Sequence, residues 1–303
     1  MSVICTVYNE GVAVGDLVED VLRQLQPGDE FVVTDAGSED GSREVLADLA
    51  GRHPALRIVD QPGGRSVGRN TAVRAARHDH IACIDGGCRP LEGWLDNLRE
   101  PFADGAEWVA GFYEARGDTV RATCYGLVMV YVLEEVDPAT FLPSARSVAF
   151  SRRAFEAAGG FPEHLDFAED TAFDEAMLAT GLHPVFRGDA RVTWAPPATV
   201  AELARTLFRW GRGDGQAGLR GATYKRLLLL VGGTGVGVVG LAITAPRFAV
   251  LALVPLIADS VRRSRRKLAV APRPAGYVLV PFAQTIHTVA LLAGFLWGRW
   301  RDQ

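Results

Sequence analysis

Phe31-Val32-Val33-Thr34-Asp35-Ala36-Gly37-Ser38 and Ile81-Ala82-Cys83-Ile84-Asp85-Gly86-Gly87 decide how this chain is read. In each, a short apolar run ends in an aspartate followed by glycine, the pattern of a buried parallel strand whose carboxyl end opens into a tight turn. Upstream, Val3 to Val7 reads as a strand. Val14, Leu17, Val18, Val21, Leu22 and Leu25 then recur at helical spacing until Pro27-Gly28. A helix from Gly41-Ser42 through Leu49, a strand at Arg57 to Val59 and a helix from Ser66 to Ala76 complete β-α-β-α-β-α-β. Such alternation predicts an α/β fold, a parallel sheet with helices on both faces. Ligands bind at the carboxyl edge of such a sheet, where Asp35 and Asp85 stand.

Beyond Asp85 the pattern loosens. It predicts a helix at Trp94 to Phe102, a strand at Trp108 to Tyr113, a long apolar helix over Val120 to Val136, strands at Val148 to Ser151 and Arg191 to Trp194, and helices from Arg152, Asp170 and Val200. The tail differs in kind. Leu227 to Pro246 is 20 residues without a charge, Phe248 to Ala258 resumes after Arg247, and Pro274 to Gly298 adds 25 more uncharged residues. About 20 apolar residues cross a bilayer.

Charge divides the 303 residues at the same place. Met1 to Leu219 carries 20 basic against 34 acidic residues, and Arg220 to Gln303 carries 12 against 2. An acidic soluble part excludes a phosphate-backbone binder, so no nucleic-acid partner is expected. Two domains are read, 1–220 and 221–303, the second made of membrane-associated helices. Arg262-Arg263-Ser264-Arg265-Arg266-Lys267 belongs in the cytoplasm by the positive-inside rule, which favours a hairpin or re-entrant pair bent near Pro246-Arg247. The four cysteines suit a reduced compartment, and no secretory signal precedes the first strand.

Six stretches carry chemistry: Thr6-Val7-Tyr8-Asn9-Glu10, Asp35 through Ser42, Gly64-Arg65-Ser66-Val67-Gly68-Arg69-Asn70, Ile84 through Cys88, Glu169-Asp170, and Arg209-Trp210-Gly211-Arg212-Gly213-Asp214-Gly215. Tyr8, Asn9 and Glu10 lie at the sheet edge, where side chains grip a nucleobase and ribose. Asp35 is positioned to accept an imide N–H. Arg65 and Arg69 flank a helix start, which favours anions. In order and spacing these stretches resemble the inverting family 2 glycosyltransferases of GT-A fold, membrane-associated and bacterial in type, over Val3 to Arg220.

That resemblance implies a Rossmann-like mixed sheet that binds a nucleoside-diphosphate sugar, UDP-type favoured, and transfers the sugar to a hydroxyl acceptor at the cytoplasmic face of the cell inner membrane. A lipid-linked acceptor suits that location. Tyr8, Asn9, Glu10, Asp35, Arg65, Arg69 and Asp85 would hold the nucleotide. Asp170 would be the catalytic base, with Glu169 beside it. Arg209 and Arg212, read as the end of a helix and its Gly-rich turn, would clamp the diphosphate while Trp210 stacks on sugar or lipid. The family carries two spaced aspartates at this strand end, one near the ribose and one on a divalent metal, Mg²⁺ or Mn²⁺; here Asp85 is retained, to touch metal or ribose, and Gly87 stands at the second position, which weakens the metal expectation. Two rivals remain: a sugar-1-phosphate nucleotidyltransferase, and a nucleotide-sugar-binding membrane protein without catalysis.

Overall fold

The computed structural model describes residues 1–301 and forms two compact units, 1–114 with 136–195, and 115–135 with the described chain from 196 onward. In chain order the first unit runs β1 (Ser2–Val7), α1 (Ala13–Leu22), β2 (Glu30–Asp35), α2 (Ser42–Arg52), β3 (Leu56–Asp60), α3 (Arg65–Ala75), β4 (His80–Cys83), β5 (Cys88–Pro90), α4 (Trp94–Ala103) and β6 (Trp108–Ala115). After an excursion into the second unit through α5 (Val120–Met129), it resumes with β7 (Val148–Ser151), α6 (Arg152–Ala158), α7 (Glu169–Ala179) and β8 (Val185–Trp194).

The eight strands form one sheet in the order β3-β2-β1-β4-β7-β6-β8-β5. Neighbours are parallel from β3 to β4, while β7 is antiparallel to both β4 and β6, so the sheet is mixed. Residues alternate between two faces of β1 and β2. Val3, Cys5, Val7, Phe31 and Val33 pack with Val14 and Leu17 of α1, Leu46 of α2 and Trp94 of α4. Ile4 and Val32 turn the other way, toward Val73 of α3 and the aromatic group Phe150, Phe155, Phe161 and Phe173. Burial on both faces explains why these strands read as continuous apolar runs. Each fully buried Phe contributes about 1.5–3 kcal/mol.

One close approach fixes α3. A Cβ on Gly68 would lie 2.3 Å from Thr6 Cγ2, so only glycine lets that helix settle on β1 and bring its amino end to the sheet edge. All four cysteines are buried and free.

In the second unit, α8 (Val200–Ala217) begins with a capping box, Thr199 and Glu202 exchanging bonds with each other's backbone N–H. The Gly-rich stretch read as a turn is helical throughout, and the helix ends only at Gly218. Its glycines serve contact instead. A Cβ on Gly211 would fall 2.1 Å from Leu291 O and one on Gly215 2.3 Å from Phe295 O; reciprocally, Gly294 would meet Phe208 O at 2.0 Å and Gly298 Arg212 O at 2.3 Å. Paired glycines four residues apart thus bring the backbones of α8 and α12 (Gly276–Arg301) together, the small-residue solution to close helix packing. The second unit accordingly takes in α8 together with the tail helices.

Between these helices run α9 (Gly221–Thr244), a 3₁₀ segment (Pro246–Leu253), α10 (Val254–Ser264) and α11 (Lys267–Val270). α9 stops at Thr244, one residue before Ala245-Pro246, and the chain doubles back. Arg226 near the base of α9 donates to Asp259 near the end of α10 at 3.0 Å, so both ends of this hairpin lie together. α9 and α12 are long and apolar enough to cross a membrane. The helix expected over 120–136 is interrupted: α5 ends at Met129, and Lys267 Nζ takes the carbonyls of Leu127 and Val130 at 2.5 and 3.0 Å, so the last turn is capped by a charge from α11 instead of continuing.

Candidate active site

The carboxyl edge of the sheet is stitched from loop to loop. Asn9 adopts the left-handed region (φ 54°); its N–H donates to Ser38 Oγ at 3.0 Å and its Oδ1 accepts from Glu39 N at 2.9 Å. The Glu10 and Gly11 N–H groups both donate to Ser42 Oγ, at 3.1 and 2.9 Å. Tyr8 projects from this edge 60% exposed, an available stacking face. Asp35 is buried; its Oδ1 accepts from Ser38 N at 3.0 Å and its Oδ2 from Arg43 Nε. Burial alone would raise its carboxyl, but Ser38 and Arg43 overcome that and hold it below the usual range. Arg43, which also reaches Asp60 Oδ1 at 2.5 Å, escaped the sequence reading because nothing local ties it to Asp35.

Arg69 organises the centre. Its buried guanidinium donates through Nη2 to Asp85 Oδ1 at 2.7 Å and through Nη1 to Glu169 Oε1 at 2.8 Å, with Phe161 beneath it at 5.2 Å. One side chain thus joins the end of β4 to the start of α7, 84 residues further along the chain. Desolvation opposes the charge of Arg69, yet Asp85 and Glu169 raise its pKa well above the ordinary value. Asp85 is depressed for the complementary reason, Arg69 and Arg146 outweighing burial. Glu169 goes the other way, raised by burial despite Arg69. Arg65 stays exposed at the first residue of α3, over the Phe167 ring at 5.1 Å.

Asp170 is half-buried in the first turn of α7, accepting from Thr171 N at 2.8 Å through Oδ1 and from Ser144 Oγ at 3.0 Å through Oδ2. A helix amino end favours its negative charge. Ser144 in turn accepts from Arg146 Nη1 at 3.1 Å. Arg146 lies over two rings, Tyr113 at 5.1 Å and Trp194 at 4.9 Å. The register explains its position: Cys83 of β4 faces Val148 of β7, and two residues beyond each lie Asp85 and Arg146. Sequence reasoning missed Ser144 and Arg146. The available signal was that Arg146 lies two residues before a strand that an antiparallel pairing would turn toward Asp85.

Arg209, Trp210 and Arg212 belong to the second unit, on α8; Arg209 is exposed and the other two are half-buried.

The metal expectation is tested by Gly86 and Gly87. A Cβ on Gly86 would stand 3.0 Å from Glu10 Oε1, and one on Gly87 3.9 Å from Glu10 Oε2, so the Glu10 carboxylate lies against the position of the missing second aspartate. Burial, then the charge of Asp85, pushes the Glu10 carboxyl upward. A cation would relieve both causes. Asp85 with Glu10 therefore fits a divalent ion, but incompletely: hard cations take about six to eight oxygens, and among the described residues no group of three or more His, Cys, Asp or Glu could hold one.

A mixed sheet with carboxylates gathered at the carboxyl edge of its parallel strands is the architecture of a GT-A-type fold. Residues 2–128 match the sequence model described as glycosyl transferase family 2. The chain is 27% identical over 228 residues to "Glycosyltransferase AglE" of Haloferax volcanii, covering 71% of itself and 72% of that protein. It is 29% identical over 205 residues to "Uncharacterized glycosyltransferase EpsJ" of Bacillus subtilis, covering 60% of each. Its fold is similar to that of the mannosyltransferase PcManGT from Pyrobaculum calidifontis, solved in complex with GDP-Man and Mn²⁺, at a TM-score of 0.65 and 21% identity, over all of this chain and 87% of that one. Residues 2–128 thus carry a domain of the family 2 glycosyltransferase type, and the chain is a glycosyltransferase.

Proposed function

We propose that the protein transfers a sugar, with inversion, from a nucleoside-diphosphate sugar to a hydroxyl acceptor at the cytoplasmic face of a membrane. The observation that carries this reading is the Arg69 bridge, which holds the donor-edge carboxylate Asp85 and the Glu169-Asp170 pair in one site. Asp170 takes the acceptor O–H proton as that oxygen attacks the anomeric carbon; the carbon–oxygen bond to the diphosphate breaks, and the nucleoside diphosphate leaves with the electron pair. Tyr8, Asn9, Glu10, Asp35, Arg65 and Asp85 serve the nucleotide side. Asp85, with Glu10 beside it, would hold a divalent cation, which when bound stabilises charge on the departing diphosphate.

The apolar hairpin supports the membrane part. Leu229, Val236 and Ile243 of α9 are 70%, 75% and 78% exposed, a surface that water does not favour. A membrane acceptor, lipid-linked in class, is consistent with it. The test is a panel of UDP-, GDP- and TDP-sugars assayed on the intact chain in membranes, with and without Mn²⁺. Release of nucleoside diphosphate from one donor class, by protein that resists salt washing of the membranes, is expected. No turnover with any donor overturns the enzymatic reading; recovery in the soluble fraction without detergent overturns the membrane reading.

A second expectation concerns the incomplete oxygen set. Mn²⁺ titrated into the nucleotide-free protein should bind weakly by calorimetry, and the nucleoside diphosphate should strengthen it, because the phosphates supply the missing ligands. Tight binding without nucleotide would contradict this.

A further inference from the structure

Asp170 does not stand alone at the start of α7. Its Oδ2 accepts from Ser144, whose hydroxyl oxygen accepts from Arg146 Nη1, and both links are of hydrogen-bond length, 3.0 and 3.1 Å. Ser144 is 5% exposed, so water competes little for these bonds. Arg146 also lies over two rings, Tyr113 of β6 at 5.1 Å and Trp194 at the end of β8 at 4.9 Å. A guanidinium over aromatic rings gains cation–π attraction while its N–H donors stay in its own plane, where hydroxyls and carboxylates are met. The sheet register brings the same residue to the end of β4 that carries Asp85. Four strand ends therefore converge on one side chain, and that side chain leads to the base.

We propose that Arg146, acting through Ser144, is a positioning residue for the Asp170 carboxylate. This rests on the reading of Asp170 as base. Ser144 gives its proton to Asp170 and accepts from Arg146 through both Nη1 and the backbone N–H, at 3.1 and 3.5 Å, so its hydroxyl is held from both sides. The carboxylate oxygen it holds is fixed in rotation, while the other remains bound to Thr171 N. A base so held meets the acceptor hydroxyl in one geometry, and misplacement of a catalytic group lowers turnover without altering the donor site.

The experiment measures kcat, donor KM and thermal midpoint for Ser144→Ala, Ser144→Thr, Arg146→Lys and Asp170→Asn. It uses the full-length protein in detergent with Mn²⁺ and the most active sugar nucleotide of the UDP, GDP and TDP panel, read as nucleoside diphosphate release. Ser144→Ala should lower kcat about tenfold, the kinetic equivalent of one hydrogen bond, with donor KM within about twofold. Ser144→Thr should restore kcat because the hydroxyl returns. Arg146→Lys, which keeps the charge and loses the planar fork, should resemble Ser144→Ala. A wild-type kcat in Ser144→Ala beside an inactive Asp170→Asn overturns the relay and leaves Asp170 as base. A loss that falls in donor KM, or one that Ser144→Thr does not restore, also overturns it. An active Asp170→Asn overturns the underlying reading instead.

Discussion

Asp170→Asn is expected to lower sugar transfer by about 10²–10⁴-fold, the contribution of a positioned general base, while donor affinity measured by calorimetry changes little. The reason for the split is geometric. Asp170 takes its bonds from Ser144 and Thr171, whereas the donor-edge carboxylate Asp85 takes its bond from Arg69. An amide in place of the carboxylate accepts from only one of the two groups that now hold it and takes no proton. Turnover near that of the wild type would remove Asp170 from the mechanism. A large loss of donor affinity would instead show that the residue belongs to the nucleotide side.

Arg69→Met should be the most damaging single change to stability. Removing one partner from a buried ionic pair costs about 3–5 kcal/mol, because the remaining charge is left without compensation. Here one guanidinium serves two carboxylates, and Glu169 is 5% exposed. Burial already raises Glu169 against the attraction of Arg69, so losing the arginine leaves it to bind a proton or to recruit water. A fall in thermal midpoint of several degrees, with loss of activity, is the expected result. Adding Glu169→Gln to Arg69→Met should recover part of the midpoint and none of the activity. A single variant as stable as the wild type would show that the bridge is not structural.

Much of the first unit was legible because its strands lie in the middle of a parallel sheet. Phe31 to Thr34 and Ile81 to Cys83 fall within β2 and β4, since burial on both faces demands an uninterrupted apolar run and a strand end demands a turn. The apolar tail was equally legible, and its bend falls at Ala245-Pro246, where the proline cannot continue the helix. Val120 to Val136 was read too long, for the reason that its interruption comes from Lys267, a residue more than a hundred positions away.

The glycines of 211–215 show where local reading fails. Glycine signals a turn when only neighbours in sequence are considered, yet on α8 it is selected by the backbone of α12, which leaves no volume for a Cβ. Glycine can stay helical at a cost of roughly 1 kcal/mol, which packing offsets. The site divides in the same way. By itself the sequence determined the strand ends, the carboxylates Asp35, Asp85, Glu169 and Asp170, and an apolar tail, because periodicity, turn chemistry and charge are local properties. Only the tertiary structure decided that Arg69 spends its guanidinium on Asp85 and Glu169, that Arg43 holds Asp35, that Glu10 lies against Gly87, and that Arg146 reaches Asp170 through Ser144. Most of those pairings depend on strand register and loop closure over long separations, and the energy of a charge depends on which partner the fold finally sets beside it.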